Sequence, residues 1–411
     1  MLLKNVVILK PGFLEPRDIR IDGKIIAEIG QNLRPEQNEE VIDFKGSKCV
    51  SVGFVNTHTH SPMSLLRAFA EDLPFNKWLF EKILPAEARL TPEAVYFGAF
   101  VSMMEMAAHG VVAFCDMYFH MDAVARAVAD FGMKAVLTRG LVDKDGDDNG
   151  RLQEALELYE KWHGFDDRIF VGLGPHAPYT CSRSYLRKIL DVAKVNDMLV
   201  TMHFFENSWE RERYTPQEIM SIGFDQVHFI PVHCVHLDSD ELKLLSSSYP
   251  SINVVSNMKL GNGVPPVTKM LKEGLKLTIG TDGPSSNNSI NPLFDIRVLI
   301  LTQKMSNPEN VKVTEAYAML TKHGYEALRL NGGEITPGMP ADLIFIDLFN
   351  PQLQPTNRVL ENLIHTFDGR VFATMINGRF VYYDGRFPTV DAQEVLKKFT
   401  TFSLMVTGTE S

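Results

Sequence analysis

The stretch Asn56-Thr57-His58-Thr59-His60 carries residue types and a spacing that can do chemistry. It closes the apolar run 49–55, which reads as a buried strand. Side chains alternate along a strand, so His58 and His60 share a face, about 6.6 Å apart. Two imidazoles so placed can grip one divalent ion. An H-x-H alone is common; its weight here comes from the groups that end later strands.

Reading the ends of the successive apolar runs gives Arg139, His176, His203 with Glu206, His233 and Asp282. His203 suits a third nitrogen ligand. Asp282 follows an apolar run, where a carboxylate is costly to bury unless it faces a cation, so it reads as a fourth ligand. Glu206 would point away on a continued strand; it is therefore expected in the turn beyond, reaching back as a proton carrier. His236 has the opposite parity to His233 and reads as structural. Three nitrogens and one carboxylate fit a single zinc-like ion, and Fe²⁺ or Mn²⁺ would also suit them. Such an ion makes water nucleophilic near neutral pH. The chemistry implied is hydrolysis at an sp² carbon, with Glu206, His233 and Asp282 catalytic: they move protons and stabilise a tetrahedral intermediate.

The elements that must position these groups are legible as an alternation. Strand-like runs at 49–55, 110–115, 134–138, 169–174, 199–203, 228–233, 252–256 and 276–281 interleave with helical patterns, among them 91–108, capped by Thr91 with Pro92 in the first turn. Eight such pairs predict a (β/α)₈ barrel of the TIM type over 51–335, with catalytic groups at the C-terminal strand ends. A helix over 313–329 is expected to close it. Residues 1–50 and 336–411 are instead rich in short strands and tight turns, such as Pro11-Gly12, Asp22-Gly23 and Asn377-Gly378. Neither segment has enough strands to cover itself, so the two are expected to pair into one small β-sandwich domain, with a terminal helix.

Composition narrows the function classes. A net charge of −10 without a basic tract argues against nucleic acid as a partner. No apolar run is long enough to cross a bilayer. Four scattered cysteines, with no C-x-x-C pair, argue against a disulfide framework and against cysteine-held zinc. The expectation is a cytoplasmic protein acting on a small molecule.

The ordered motifs resemble the amidohydrolase superfamily, and within it the 5-methylthioadenosine/S-adenosylhomocysteine deaminases. The likeness rests on Gly53-Phe-Val-Asn-Thr-His-Thr-His-Ser-Pro-Met63, Trp78-Leu79, Gly174-Pro-His-Ala-Pro-Tyr179, His203-Phe-Phe-Glu206, His233-Cys-Val-His-Leu237, Ser256-Asn-Met-Lys-Leu-Gly-Asn-Gly263 and Gly280-Thr-Asp-Gly283. It spans essentially the whole chain. The resemblance implies His58, His60, His203 and Asp282 as metal ligands. It also implies Trp78, Glu87, Arg139, Arg151, His176 and Glu206 around a nucleoside substrate, with Glu87 on the ribose hydroxyls. The two arginines would suit the carboxylate of S-adenosylhomocysteine, and a homo-oligomer would be in keeping with such barrels. One departure stands out: where relatives carry His-Asn-Pro before the Ser-Asn of strand 7, this chain has Ile252-Asn253-Val254. Two alternatives are kept. One is a hydrolase of a free base or triazine, guanine deaminase-like or chlorohydrolase-like; the other is a catalytically silent barrel, whose signature would be a missing ligand.

Overall fold

The computed structural model describes residues 1–10, 12–147 and 149–408, so Pro11 of the expected Pro11-Gly12 turn lies outside the described residues. Strands β1 (Leu2–Lys10), β2 (Phe13–Asp22), β3 (Ile25–Gly30), β4 (Val41–Asp43) and β5 (Lys48–Val52) come first. Then follow β6 (Phe54–Thr59), β7 (Val111–Tyr118), β8 (Lys134–Leu141), β9 (Ile169–Pro175), β10 (Val200–Phe204), β11 (Phe229–His233), β12 (Ser251–Ile252) and β13 (Thr278–Ile279). The last are β14 (Leu343–Asp347), β15 (Ala373–Ile376) and β16 (Arg379–Tyr383).

β6 to β13 pair in chain order, all parallel, as the eight strands of the expected barrel. The first and eighth strands meet through side chains and the turn: Thr57 Oγ1 donates to the Ile279 carbonyl at 3.0 Å, and the Thr281 and Asp282 amides donate to the His58 carbonyl, each at 3.1 Å. β7 and β8 are buried along their whole length, as parallel strands covered on both faces must be.

The two terminal segments form one eight-stranded mixed sheet, in the order β16-β15-β14-β5-β1-β2-β3 with β4 beside β1. β5 and β14 join them, antiparallel, with Val50 opposite Phe345. Alternation sorts their side chains. Val50, Val52, Leu343 and Phe345 face the small sheet's own core, where Phe44 stacks on Phe345. Cys49, Ile344 and Ile346 face the barrel.

Three sequence expectations are corrected. The run 49–55 is two strands: β5 belongs to the small sheet and β6 to the barrel. They break at Gly53, where a Cβ would lie 2.2 Å from Val112 Cγ1, so the chain crosses between sheets where no side chain fits. The seventh strand is only Ser251–Ile252; a helix over Val254–Lys259 replaces the rest of the expected 252–256 strand. The β-branched valines favour a strand, but tertiary packing that aims Ser256 and Asn257 at the site prevails. The closing helix is broken at Thr321 into Val313–Leu320 and Lys322–Ala327. The expected terminal helix spans Ala392–Thr407 and packs on the barrel: Phe402 stacks on Phe97, and Ser403 Oγ donates to the Leu65 carbonyl.

Lys134, opening β8, pairs with Asp342, which precedes β14, and both side chains are buried. Asp342 also accepts the Asn377 amide at 2.9 Å. Lys134→Met strands a buried carboxylate and is expected to lower unfolding stability by about 3 kcal/mol, read from the urea midpoint.

Candidate metal centre and active site

β6, β10 and β13 end at one rim, and their exits bring His58, His60, His203 and Asp282 together. His58 Nε2 lies 3.3 Å from His203 Nε2 and 3.6 Å from Asp282 Oδ1, while His60 Nε2 lies 3.3 Å from the same oxygen. Ligand atoms of His58, His60 and His203 all fall within 4.8 Å of one another, as do those of His58, His233 and Asp282. His233 and Asp282 have φ of +73° and +60°, a region costly for non-glycine residues and concentrated at functional sites.

A surrounding layer aims His60, Asp282, His233 and Glu206, while His58 Nδ1 is buried with no hydrogen-bond partner among the described residues. His60 Nδ1 donates to the Met117 carbonyl at 2.5 Å, which leaves Nε2 with its lone pair toward the cluster. Ser256 and Ser286 both donate to Asp282 Oδ2, leaving Oδ1 to the imidazoles. Asn257 Nδ2 donates to His233 Nδ1 at 2.9 Å, so the ring proton sits on Nε2, which faces Glu206 Oε2 at 3.7 Å. Glu206 lies past the end of β10, where Phe205 turns the chain with φ +49°, and its Oε1 accepts from Asn262 at 2.7 Å.

The electrostatics agree. Burial pushes His58 down to about 4 and His233 to about 3, and holds His203 well below the ordinary imidazole value. Burial opposes the charge on Asp282, but hydrogen bonds from His58 and His60 outweigh it and keep the carboxyl well below its usual range. Glu206 is pushed well above the carboxylate range by burial and by the charge of Asp282. Burial lowers His60 too, but the hydrogen bond and charge of Asp282 outweigh it and raise that imidazole. Neutral His58 and His203, nitrogen-to-nitrogen beside an ionised carboxylate, leave more lone pairs at this point than protons to separate them. That is the donor state a divalent cation requires, so these residues fit such an ion.

Next to the cluster opens a cavity of about 710 Å³. Of the expected substrate residues, Trp78, Glu87, Arg151, His176 and Glu206 line it. Trp78 sits on a π-helical turn, Lys77–Ile83. Arg139 is not among the lining residues: its Nε donates to Glu154 at 2.6 Å, and its guanidinium lies 5.3 Å from the Phe119 ring. Glu87 accepts a 2.6 Å hydrogen bond from Tyr118, and burial, against that bond, raises its pKa to about 7.

Tyr118, Asp116 and Asn262 were not foreseen. Asp116 accepts both the amide and the hydroxyl of Ser61, fixing the turn after His60. β7 runs to Tyr118, past the expected end at Cys115; carrying the apolar run three residues further would have exposed both. Asn262 lies within a quoted motif but carried no chemical signal of its own.

A model of the amidohydrolase family matches residues 49–381. The chain belongs to the amidohydrolase family. This amidohydrolase is 46% identical over 401 residues, 97% of each chain, to a 5-methylthioadenosine/S-adenosylhomocysteine deaminase of Thermotoga maritima. It is 38% identical over 416 residues, again 97% of each, to a 5'-deoxyadenosine deaminase of Methanocaldococcus jannaschii. A crystal structure of an adenosine deaminase from Xanthomonas campestris with bound zinc superposes with a TM-score of 0.92, at 25% identity and 98% coverage of both chains. Among the described residues no helix is long and apolar enough to cross a membrane, and all four cysteines are free and buried.

Metal analysis of the purified amidohydrolase by mass spectrometry is expected to find about one divalent transition-metal ion per chain. His60→Ala and Asp282→Asn should retain about a tenth or less, and His236→Ala should match the parent.

Proposed function

We propose that this chain is a metal-dependent hydrolytic deaminase of adenosine derivatives, 5′-methylthioadenosine and S-adenosylhomocysteine foremost, yielding the inosine product and ammonia. The observation that carries the reading is a single cavity in which a buried, protonation-prone Glu206 stands beside the histidine–aspartate cluster while Glu87, anchored by Tyr118, lines the same space. The near-full-length likeness to deaminases acting on 5′-modified adenosines supports it.

His58, His60, His203 and Asp282 would hold the ion, zinc foremost, as in the adenosine deaminase structure. When bound, it supplies Lewis acidity that brings water's pKa toward neutrality. The remaining steps belong to the chain. Glu206, one oxygen tied to Asn262, gives a proton from the other to the ring nitrogen beside the amino-bearing carbon. His233 donates from Nε2 to the oxygen that adds to that carbon, and Asp282 Oδ1 accepts the proton this oxygen sheds. Water's other proton returns to Glu206 and replaces the one given to the ring nitrogen, while the proton on Asp282 passes to the amino group, which leaves as ammonia when the C–N bond breaks and the oxygen closes to the keto group. Glu87 grips the ribose hydroxyls, Trp78 and His176 wall the nucleoside, and Arg139 braces Phe119 behind that wall. Arg151 lies toward the 5′ substituent. The proposal places the enzyme in the cytoplasm, in keeping with its free thiols.

A free-base or triazine substrate would bring Glu87 no hydroxyls to bind beyond that of Tyr118. Ammonia release should therefore be measured on 5′-methylthioadenosine, S-adenosylhomocysteine, adenosine, guanine and cytosine. The nucleosides are expected to turn over and the bases not; turnover of bases alone would sink the proposal. Glu206→Gln should lower kcat about 10²–10⁴-fold with the metal retained.

A further inference from the structure

Asp295 carries a fully buried carboxyl that the chemistry above does not use, and it is not among the residues lining the cavity. It stands near the start of the helix Pro292–Lys304, which packs against the short helix Val254–Lys259. A carboxyl is costly to bury unless its oxygens are hydrogen-bonded. Here Asn287 Nδ2 donates to Asp295 Oδ1 at 3.1 Å and to Oδ2 at 3.0 Å. The Val255 amide faces the same carboxyl.

Both partners lead to the metal centre. The same Asn287 Nδ2 donates to the Thr281 carbonyl at 2.8 Å. That carbonyl belongs to the peptide entering Asp282, whose φ of +60° is costly for a residue with a side chain. The peptide leaving Asp282 is held as well, its carbonyl accepting from Thr59 Oγ1 at 2.9 Å. Fixed on both sides, the backbone sets the direction of the Asp282 carboxylate. Val255, for its part, sits in the turn that carries Ser256 and Asn257, the donors to Asp282 and His233. From one position Asp295 thus meets the helix after β12 and the turn after β13.

A carboxyl fits this place because both its oxygens accept. Asparagine at 295 fills the same volume but sets an NH₂ group against the Asn287 side-chain amide or the Val255 backbone amide, donor facing donor.

We propose that Asp295 is a positioning residue of the metal centre: through Asn287 it fixes the backbone turn at Asp282, and through Val255 the donors on the adjoining helix. The proposal rests on reading the histidine–aspartate cluster as the site of one divalent ion.

The test compares the zinc-loaded parent with Asp295→Asn, Asn287→Ser and the double variant. Release of zinc to a colorimetric chelator should be about tenfold faster in each single variant. The double variant should fall short of the product of the two, because the residues act in one chain of bonds. With zinc in excess, kcat for 5′-methylthioadenosine should drop about tenfold while KM holds, since neither residue meets the substrate. Zinc release at the parent's rate in Asp295→Asn, with only the urea midpoint lowered, would make Asp295 a core residue and overturn the proposal. So would fully multiplicative losses in the double variant. If Asp295→Asn does not fold, Asn287→Ser decides alone, and parent-like zinc release there also overturns it. A parent that shows these contrasts yet releases no ammonia from any nucleoside defeats the deaminase reading and leaves the proposal standing; a parent that takes up no divalent ion defeats both.

Discussion

Buried lone pairs aimed at one point are the constraint on which the rest of this structure depends. Three imidazoles and a carboxylate, carried by the first, fifth and eighth strands, bring their inward atoms as close as 3.3–3.6 Å with fewer protons than lone pairs among them. In water each would be solvated separately; inside the barrel His58, His203 and Asp282 have lost that solvent and His60 most of it. A divalent cation resolves the conflict, and the surroundings are built so that little else can. Met117, Ser256, Ser286 and Asn257 occupy the outward-facing atoms of His60, Asp282 and His233, which keeps the inward ones unprotonated or correctly protonated.

The architecture follows from holding that point still. Parallel strands buried on both faces give a stiff wall, and the donors sit at strand exits where one or two residues set their direction. Positive φ at Phe205, His233 and Asp282 turns the chain sharply at these exits, and the backbone bonds across the rim, such as Asp282 to His58, hold the turns in place. The small sheet attaches where the first barrel strand begins. Gly53 is the pivot, and the Lys134–Asp342 pair ties the same foot of the barrel from the other side.

Much of this could be read from the chain, and for a physical reason: period-2 apolar runs announce strands, and a polar residue with metal-binding chemistry at the end of each run has few other uses. The barrel and the meeting of His58, His60, His203 and Asp282 follow from that. Local pattern failed where long-range packing decided the outcome. The valines at 254 and 255 have strand character yet enter a helix, because Ser256 and Asn257 are needed against Asp282 and His233. The departure therefore falls partly at the end of a two-residue strand, Ile252, and partly at the start of the helix that Val254 opens, and neither side chain is a donor to the cluster. Arg139 illustrates a different limit. Its place at a strand end was legible, but its capture by Glu154, fifteen positions on, was not.

The most direct test of the central claim is anomalous diffraction at the zinc edge from crystals of the purified protein. The account requires one peak bonded to His58, His60, His203 and Asp282 at about 2.0–2.2 Å. An active protein showing two peaks there, or one held by other residues, would contradict it.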